Sequence, residues 1–239
     1  MTEPKSAESA RDAPTPLHRF GDDAITLGLL RGDPLYRYIV PGSAQSMVAA
    51  AMAEGRSRAA WMKNLYGKDL LKIAERLNVP IRSVDIDAGW GSTVVFAQYE
   101  TKPISITLYR PAIERIERVL REVGMDIWLR TADLCAIFIA HELYHHLESS
   151  SMSTPLSQRY RVELLRIGPW CWRGGLASLD EIGAGAFAQA LLGLPRHPRI
   201  LDMLCIYDAD PEAIRRIAEE LKGGAVEPDP GFDGPSGRE

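Results

Sequence analysis

Cysteine is scarce in this chain. Cys135, Cys171 and Cys205 are the three among 239 residues, and no two of them form a CxxC pair. An odd, scattered count excludes a secreted disulfide framework and fits a reducing compartment. Long apolar runs are missing too: VAAAMA and LCAIFIA are far too short to cross a bilayer. The N-terminus lacks the charged-then-apolar pattern of an export signal. Basic residues are not in excess, since 28 Lys and Arg against 32 Asp and Glu give a net charge of −4. That balance removes the global cationic surface that tracks nucleic acid. No internal repeat is found. These absences predict a cytoplasmic protein with neither a membrane nor a nucleic acid as partner.

What remains is ordinary globular composition, 46% hydrophobic and 25% charged. A chain of this length fits one large domain that buries its own core without staples. Residues 1–20 and 225–239 are rich in Pro, Ala, Gly, Ser and charge and read as a disordered arm and tail. The single domain is expected over 21–224. Within it, SAQSMVAAAMAEGRSRAAWMKNLYG contains one or two helices. KDLLKIAERLNV is a short amphipathic helix with Leu70, Leu71, Ile73, Ala74 and Leu77 on its buried side, stopped by Pro80. IRSVDI, TVVFAQYE and ISITLYR read as three strands of a small, mostly antiparallel sheet. Helices follow at PAIERIERVLREVG, at TADLCAIFIAHELYHHLE with Thr131 as its cap, at SLDEIGAGAFAQALLG and at PEAIRRIAEELKGG. Helices packed on one small sheet define an α+β fold. DLLKIAERLNVPIRSV has the outline of a helix-turn-helix, but its second helix would carry two aspartates toward phosphate and be broken by glycine.

The chemistry sits in CAIFIAHELYHHLESSS, residues 135 to 151, where three of the five histidines fall within six positions. On a helix, residues four apart are turned by only about 40° and rise about 6 Å. His141 and His145 therefore project from one face, where a single ion bridges them. Glu142 is turned by about 100° from His141, within reach of a water on that ion without binding the ion. This is the mechanical content of H-E-x-x-H: two imidazole ligands and a general base. An imidazole pair suits Zn2+, which tolerates an open position for water. The competing reading, a hydrogen-bonded histidine pair at a helix C-terminus, must bury two histidines and a glutamate behind LCAIFIA, at a cost of several kcal/mol. His146 turns away from the ligand face and is expected at the surface or the rim. Glu148 shares the ligand face one turn beyond His145 and is expected beside the ligands or at the rim.

A catalytic zinc takes a third protein ligand. No histidine follows at metzincin spacing, and the later His197 lies in the loop LPRHPRI. SLDEIGAGAFAQALLGLP offers two carboxylates, Asp180 and Glu181. Ser178 and Glu181 have the spacing of a capping box. Glu181 also heads a stripe of small and apolar residues (Ala184, Gly185, Ala188, Leu192) that would lie close to the histidine helix. Asp180 heads an equally apolar stripe (Ala184, Phe187, Leu191), and geometry alone does not choose.

HELYHH followed by EIGAGAFAQALL resembles the zincin-like gluzincin metallopeptidases of the ImmA/IrrE type, which cleave repressor proteins. Their second motif runs approximately E-x-x-A-x-x-F-A-x-x-L-L, and Glu181, Ala184, Phe187, Ala188, Leu191 and Leu192 fall in that register. The likeness covers roughly residues 95 to 195. It implies that His141, His145 and Glu181 bind zinc, that Glu142 is the base, and that the partner is a peptide or protein substrate. Tyr109, Tyr144, His146 and Tyr160 are candidate donors to a developing oxyanion. ISITLYR is either an edge that holds an extended peptide or an interior strand. Trp170 and Trp172 either line a binding rim or pack over the core. The alternative to a peptidase is a non-catalytic zinc-binding regulator that keeps the fold.

Overall fold

The computed structural model describes residues 16–223 apart from 90–93, 126 and 151–153. The arm expected over 1–20 lies mostly, and the tail over 225–239 wholly, outside these residues. Leu17, in a 3-10 turn at Pro16–Arg19, is already buried in the core. The folded part therefore reaches further toward the N-terminus than residue 21.

Helix α1 (Asp22–Arg31) leads to α2 (Ala44–Tyr66), a single 23-residue helix where the sequence left one or two open. Its buried residues Ala44, Val48, Ala51, Met52, Gly55, Ala59 and Met62 recur at helical spacing. Helix α3 (Leu70–Arg76) ends before Asn78, which takes the left-handed conformation at φ 54°. Leu71 faces solvent rather than the core, because Leu70, Ile73 and Ala74 already fill the inward side.

Strands β1 (Ile81–Val84), β2 (Ala97–Thr101) and β3 (Ile104–Tyr109) form a sheet in the order β1-β3-β2. β2 pairs antiparallel with β3, but β1 runs parallel to it, so this sheet is mixed. β3 is the central strand. ISITLYR is thus no peptide-binding edge; both its faces are covered, with Ile106 and Leu108 on one and Ser105 and Thr107 on the other. The free edge nearest the histidines belongs to β2.

Helices α4 (Arg110–Glu122), α5 (Ile127–Thr131) and α6 (Leu134–Ser149) follow. The cap of α6 is Asp133 rather than Thr131, its carboxylate accepting from the Cys135 N–H at 2.9 Å. Thr131 instead closes α5, its hydroxyl donating to the Ile127 carbonyl. A short helix α7 (Leu156–Arg159) precedes an antiparallel hairpin of β4 (Arg161–Ile167) and β5 (Trp170–Gly175). Helices α8 (Ala177–Leu192), α9 (Arg199–Ala209) and α10 (Pro211–Gly223) complete the domain. The architecture is α+β, with helices on a small sheet; with the separate β4–β5 hairpin included, two of the three described strand pairings are antiparallel.

α8 occupies the middle of the molecule and is buried nearly all round. α2 lies on one side, α6 on another, and α1 with the 197 loop on a third. Small residues set these distances. A Cβ on Gly55 would stand 2.2 Å from the Gly183 carbonyl oxygen, and one on Gly183 would stand 2.5 Å from the Tyr144 hydroxyl. Since alanine is worth about 1 kcal/mol over glycine in a free helix, the packing alone sets the sign here. Gly55→Ala is expected to destabilise the protein by about 1–3 kcal/mol, because the atoms it meets are backbone. A lowered denaturant midpoint at unchanged m-value would show it; an unchanged midpoint would mean that the helices part freely.

Candidate metal centre

The apolar run of α6 fixes the histidines. Ile137, Ala140, Leu143, Tyr144 and Leu147 are buried, which turns His141 and His145 toward α8 on the same flank. α8 is held from outside its own sequence. Its Ser178 N–H donates to Asp33 Oδ2 at 3.1 Å, and its Gln189 donates to Asp22 Oδ2 at 2.7 Å. Ser178 and Glu181 therefore form no capping box: Leu176 precedes the helix, Ser178 already lies in its first turn, and Asp33 does the capping.

Freed from that task, Glu181 reaches the histidines. Its Oε2 lies 3.1 Å from His141 Nε2 and its Oε1 lies 3.5 Å from His145 Nε2, while the two Nε2 atoms are 3.2 Å apart. A tetrahedral ion with bonds of about 2.1 Å holds its ligand atoms about 3.4 Å from one another. With a different Glu181 oxygen nearest each histidine, and one ligand atom from each residue lying within 4.8 Å of the others, His141, His145 and Glu181 could hold a metal ion. Asp180 is excluded by its own contact: Oδ1 accepts the Ser157 N–H at 2.9 Å and ties α7 to α8. Burial, with the Glu148 charge nearby, pushes the Asp180 carboxyl above its ordinary range.

The groups behind the ligands also have definite work. Glu148 is buried, and its Oε2 lies 3.4 Å from His145 Nδ1. That contact favours the tautomer with hydrogen on Nδ1, leaving the Nε2 lone pair for an ion. His146 is buried rather than at a rim, because its side of α6 packs on β2. Its Nδ1 meets the Tyr99 hydroxyl at 3.0 Å, and burial pulls its pKa down. Glu142 projects toward the same strand, where Oε2 accepts the Tyr99 backbone N–H at 2.8 Å.

Without an ion, the ligands satisfy one another by charge. Burial lowers the pKa of His141, but the hydrogen bond and charge of Glu181 outweigh it and carry the group up to about 9. Burial raises that of Glu181, and the His141 bond, the histidine charges and Arg199 bring it down to about 2.

A cavity of about 200 Å³ opens beside these residues, lined by His141, Glu142 and Glu181, by Phe96 and Phe138, and by Arg199. It exceeds the roughly 150 Å³ that holds a benzene ring in an engineered core. Phe96 and Phe138 stack at 4.3 Å to form an apolar wall. None of the four candidate oxyanion donors lines this cavity. Tyr109 donates to Gln98, Tyr144 is buried against Gly183, His146 is held by Tyr99, and Tyr160 caps the end of α7. Arg199 lines it instead, with Nη1 donating to Asp202 Oδ2 at 3.0 Å. The signal for it was PRHPR, a loop pinned by two prolines directly after a helix stop.

His197 is no ligand. It is buried across Gly185, one turn beyond Glu181, and its Nε2 donates to the Ile182 carbonyl at 3.1 Å. Burial pulls its pKa down to about 4. The unfolded chain protonates this histidine near pH 6.5 and the folded chain near 4, so stability falls as pH drops through that window. The loss is on the order of 3 kcal/mol. His197→Gln is expected to lose less stability than the wild type between these pH values in denaturant titrations. Parallel acid profiles would rule the assignment out.

Scans against family models, characterised proteins and solved structures return no match to this chain. No described helix is long and apolar enough to cross a membrane.

Proposed function

We propose that the chain is a zinc-dependent metallopeptidase of the gluzincin type, hydrolysing a peptide bond in a cytoplasmic protein or peptide. The observation that carries this reading is the meeting of His141, His145 and Glu181, with ligand atoms within 4.8 Å of one another, on the rim of a cavity that Glu142 also lines. The resemblance of HELYHH and EIGAGAFAQALL to the ImmA/IrrE-type enzymes, and with it the zincin-like fold, supports it.

His141, His145 and Glu181 would hold the ion, and Zn2+ suits two imidazoles and a carboxylate. Bound zinc supplies a water of lowered pKa and a Lewis acid for a carbonyl. Glu142 takes the proton through the oxygen not bonded to Tyr99 and passes it to the leaving amine. β2 turns the outward Tyr99 N–H to Glu142, and its neighbouring edge offers hydrogen bonds to an extended peptide. Phe96 and Phe138 exclude water and receive an apolar side chain, while Arg199 directs positive charge toward oxygen anions.

Elemental analysis of protein purified without chelator, followed by a peptide-library cleavage screen, tests the proposal. About one zinc per chain with cleavage supports it, and absence of zinc after reconstitution sinks it. Loading must release the His141 proton. Apparent zinc affinity is therefore expected to rise about tenfold per pH unit up to about pH 9, as measured by competition with a chelator. A flat profile would mean that His141 is already neutral in the free site.

One contact favours a second reading, a zinc-binding regulator without turnover. The Tyr99 N–H occupies one oxygen of Glu142 and ties the carboxylate to β2, leaving a single oxygen for a water. Zinc binding without cleavage of any peptide would select that reading.

A further inference from the structure

The β4–β5 hairpin carries its apolar residues on one face. Leu165 pairs with Trp172 and Ile167 with Trp170, so the two rungs stack all four side chains on the same side. At its base this side is covered: Val162 is buried, and Gly174 lets Leu35 lie directly upon it. Beyond that rung the face continues and its side chains are exposed. Leu165 is 50%, Ile167 59%, Trp170 73% and Trp172 63% exposed. The opposite side is polar, with Arg166 paired to Glu163 and Cys171 also on Glu163.

Four large apolar side chains in one exposed patch match the largest patches that monomers carry, and patches of that size often serve an interaction. We propose that this face is the seat of a second copy of the same chain, hairpin against hairpin about a two-fold axis. The face is self-complementary, as an isologous contact requires. Its four side chains offer on the order of 500 Å² per copy, and two copies bury on the order of 1,000 Å², the lower bound for a specific interface.

Charge decides the occupant. Arg166 and Arg173 lie on the side opposite the tryptophans, so stacking two copies brings no like charges together. The same placement keeps the hairpin's own arginines off the apolar face, and a net charge of −4 opposes an anionic membrane.

The test is sedimentation velocity on the full chain across the micromolar to sub-millimolar range, with and without zinc, because the contact does not involve the metal residues. The expected mass rises from one chain to two, with a blue shift of tryptophan emission over the same range. Trp172→Glu weakens association at least tenfold, whereas Arg173→Glu on the opposite side leaves the curve in place. Both positions are exposed, so neither variant burdens the core. A monomer at every concentration overturns the proposal, as does equal weakening by the two variants or growth beyond a dimer. Tryptophan-dependent binding to phosphatidylserine vesicles by a chain that never self-associates also overturns it, and assigns the face to membranes.

Discussion

Glu181→Ala leaves a chain that no longer retains zinc, while Asp180→Ala keeps about one ion. This contrast is the largest effect expected in the protein. Removing a group behind a ligand already costs about 10–100-fold in affinity, so loss of a ligand itself costs more than about 100-fold. Among the described residues Glu181 is also the one carboxylate that bridges both histidines, with one oxygen toward each. Asp180 stands next to it in sequence but is spent on the Ser157 N–H. Its removal loosens α7 and leaves the three ligand atoms in place. Equal zinc content by elemental analysis in both variants would show that the histidines hold the ion without α8.

Glu142→Gln is expected to separate binding from turnover. The amide is nearly isosteric and its carbonyl oxygen still accepts the Tyr99 N–H, so strand and helix keep their contact. It has no basicity, however, and proton transfer of this kind contributes about 10²–10⁴-fold to rate. Zinc content should match the wild type while cleavage falls by that factor. Retained cleavage would move the base elsewhere, and reduced zinc would give Glu142 a part in holding the ion.

How far the sequence displays this site depends on how locally each part is determined. The placement of His141 and His145 follows from helix geometry within one turn, so four-residue spacing alone brings the rings together. The choice between Glu181 and Asp180 depends on Ser157 and Asp33, which lie far away along the chain, and no periodicity contains that information. The side of His146 pointing away from the ligands meets Tyr99 of β2 instead of water, since the sheet packs there. Parallel pairing of β1 with β3 likewise joins segments more than twenty residues apart, and alternation within either strand does not state its direction. The hairpin misleads for another reason. Leu165, Ile167, Trp170 and Trp172 follow the pattern of an inward-facing surface, and alternation reports that a face is apolar without reporting what lies against it. Arg199 escapes notice because PRHPR marks a rigid loop without showing which of its side chains turns toward the histidines.

The close seating of Gly55 on Gly183 also bears on how the protein is made. Synthesis delivers α2 more than a hundred residues before α8, and at about 5–20 residues per second the interval is on the order of ten seconds. Throughout that time the Ala51, Met52, Gly55 and Ala59 side of the first long helix waits on the ribosome without its mate. The site can form only once α8 has emerged and slid into that seat, so α2 must be kept from other apolar surfaces during translation.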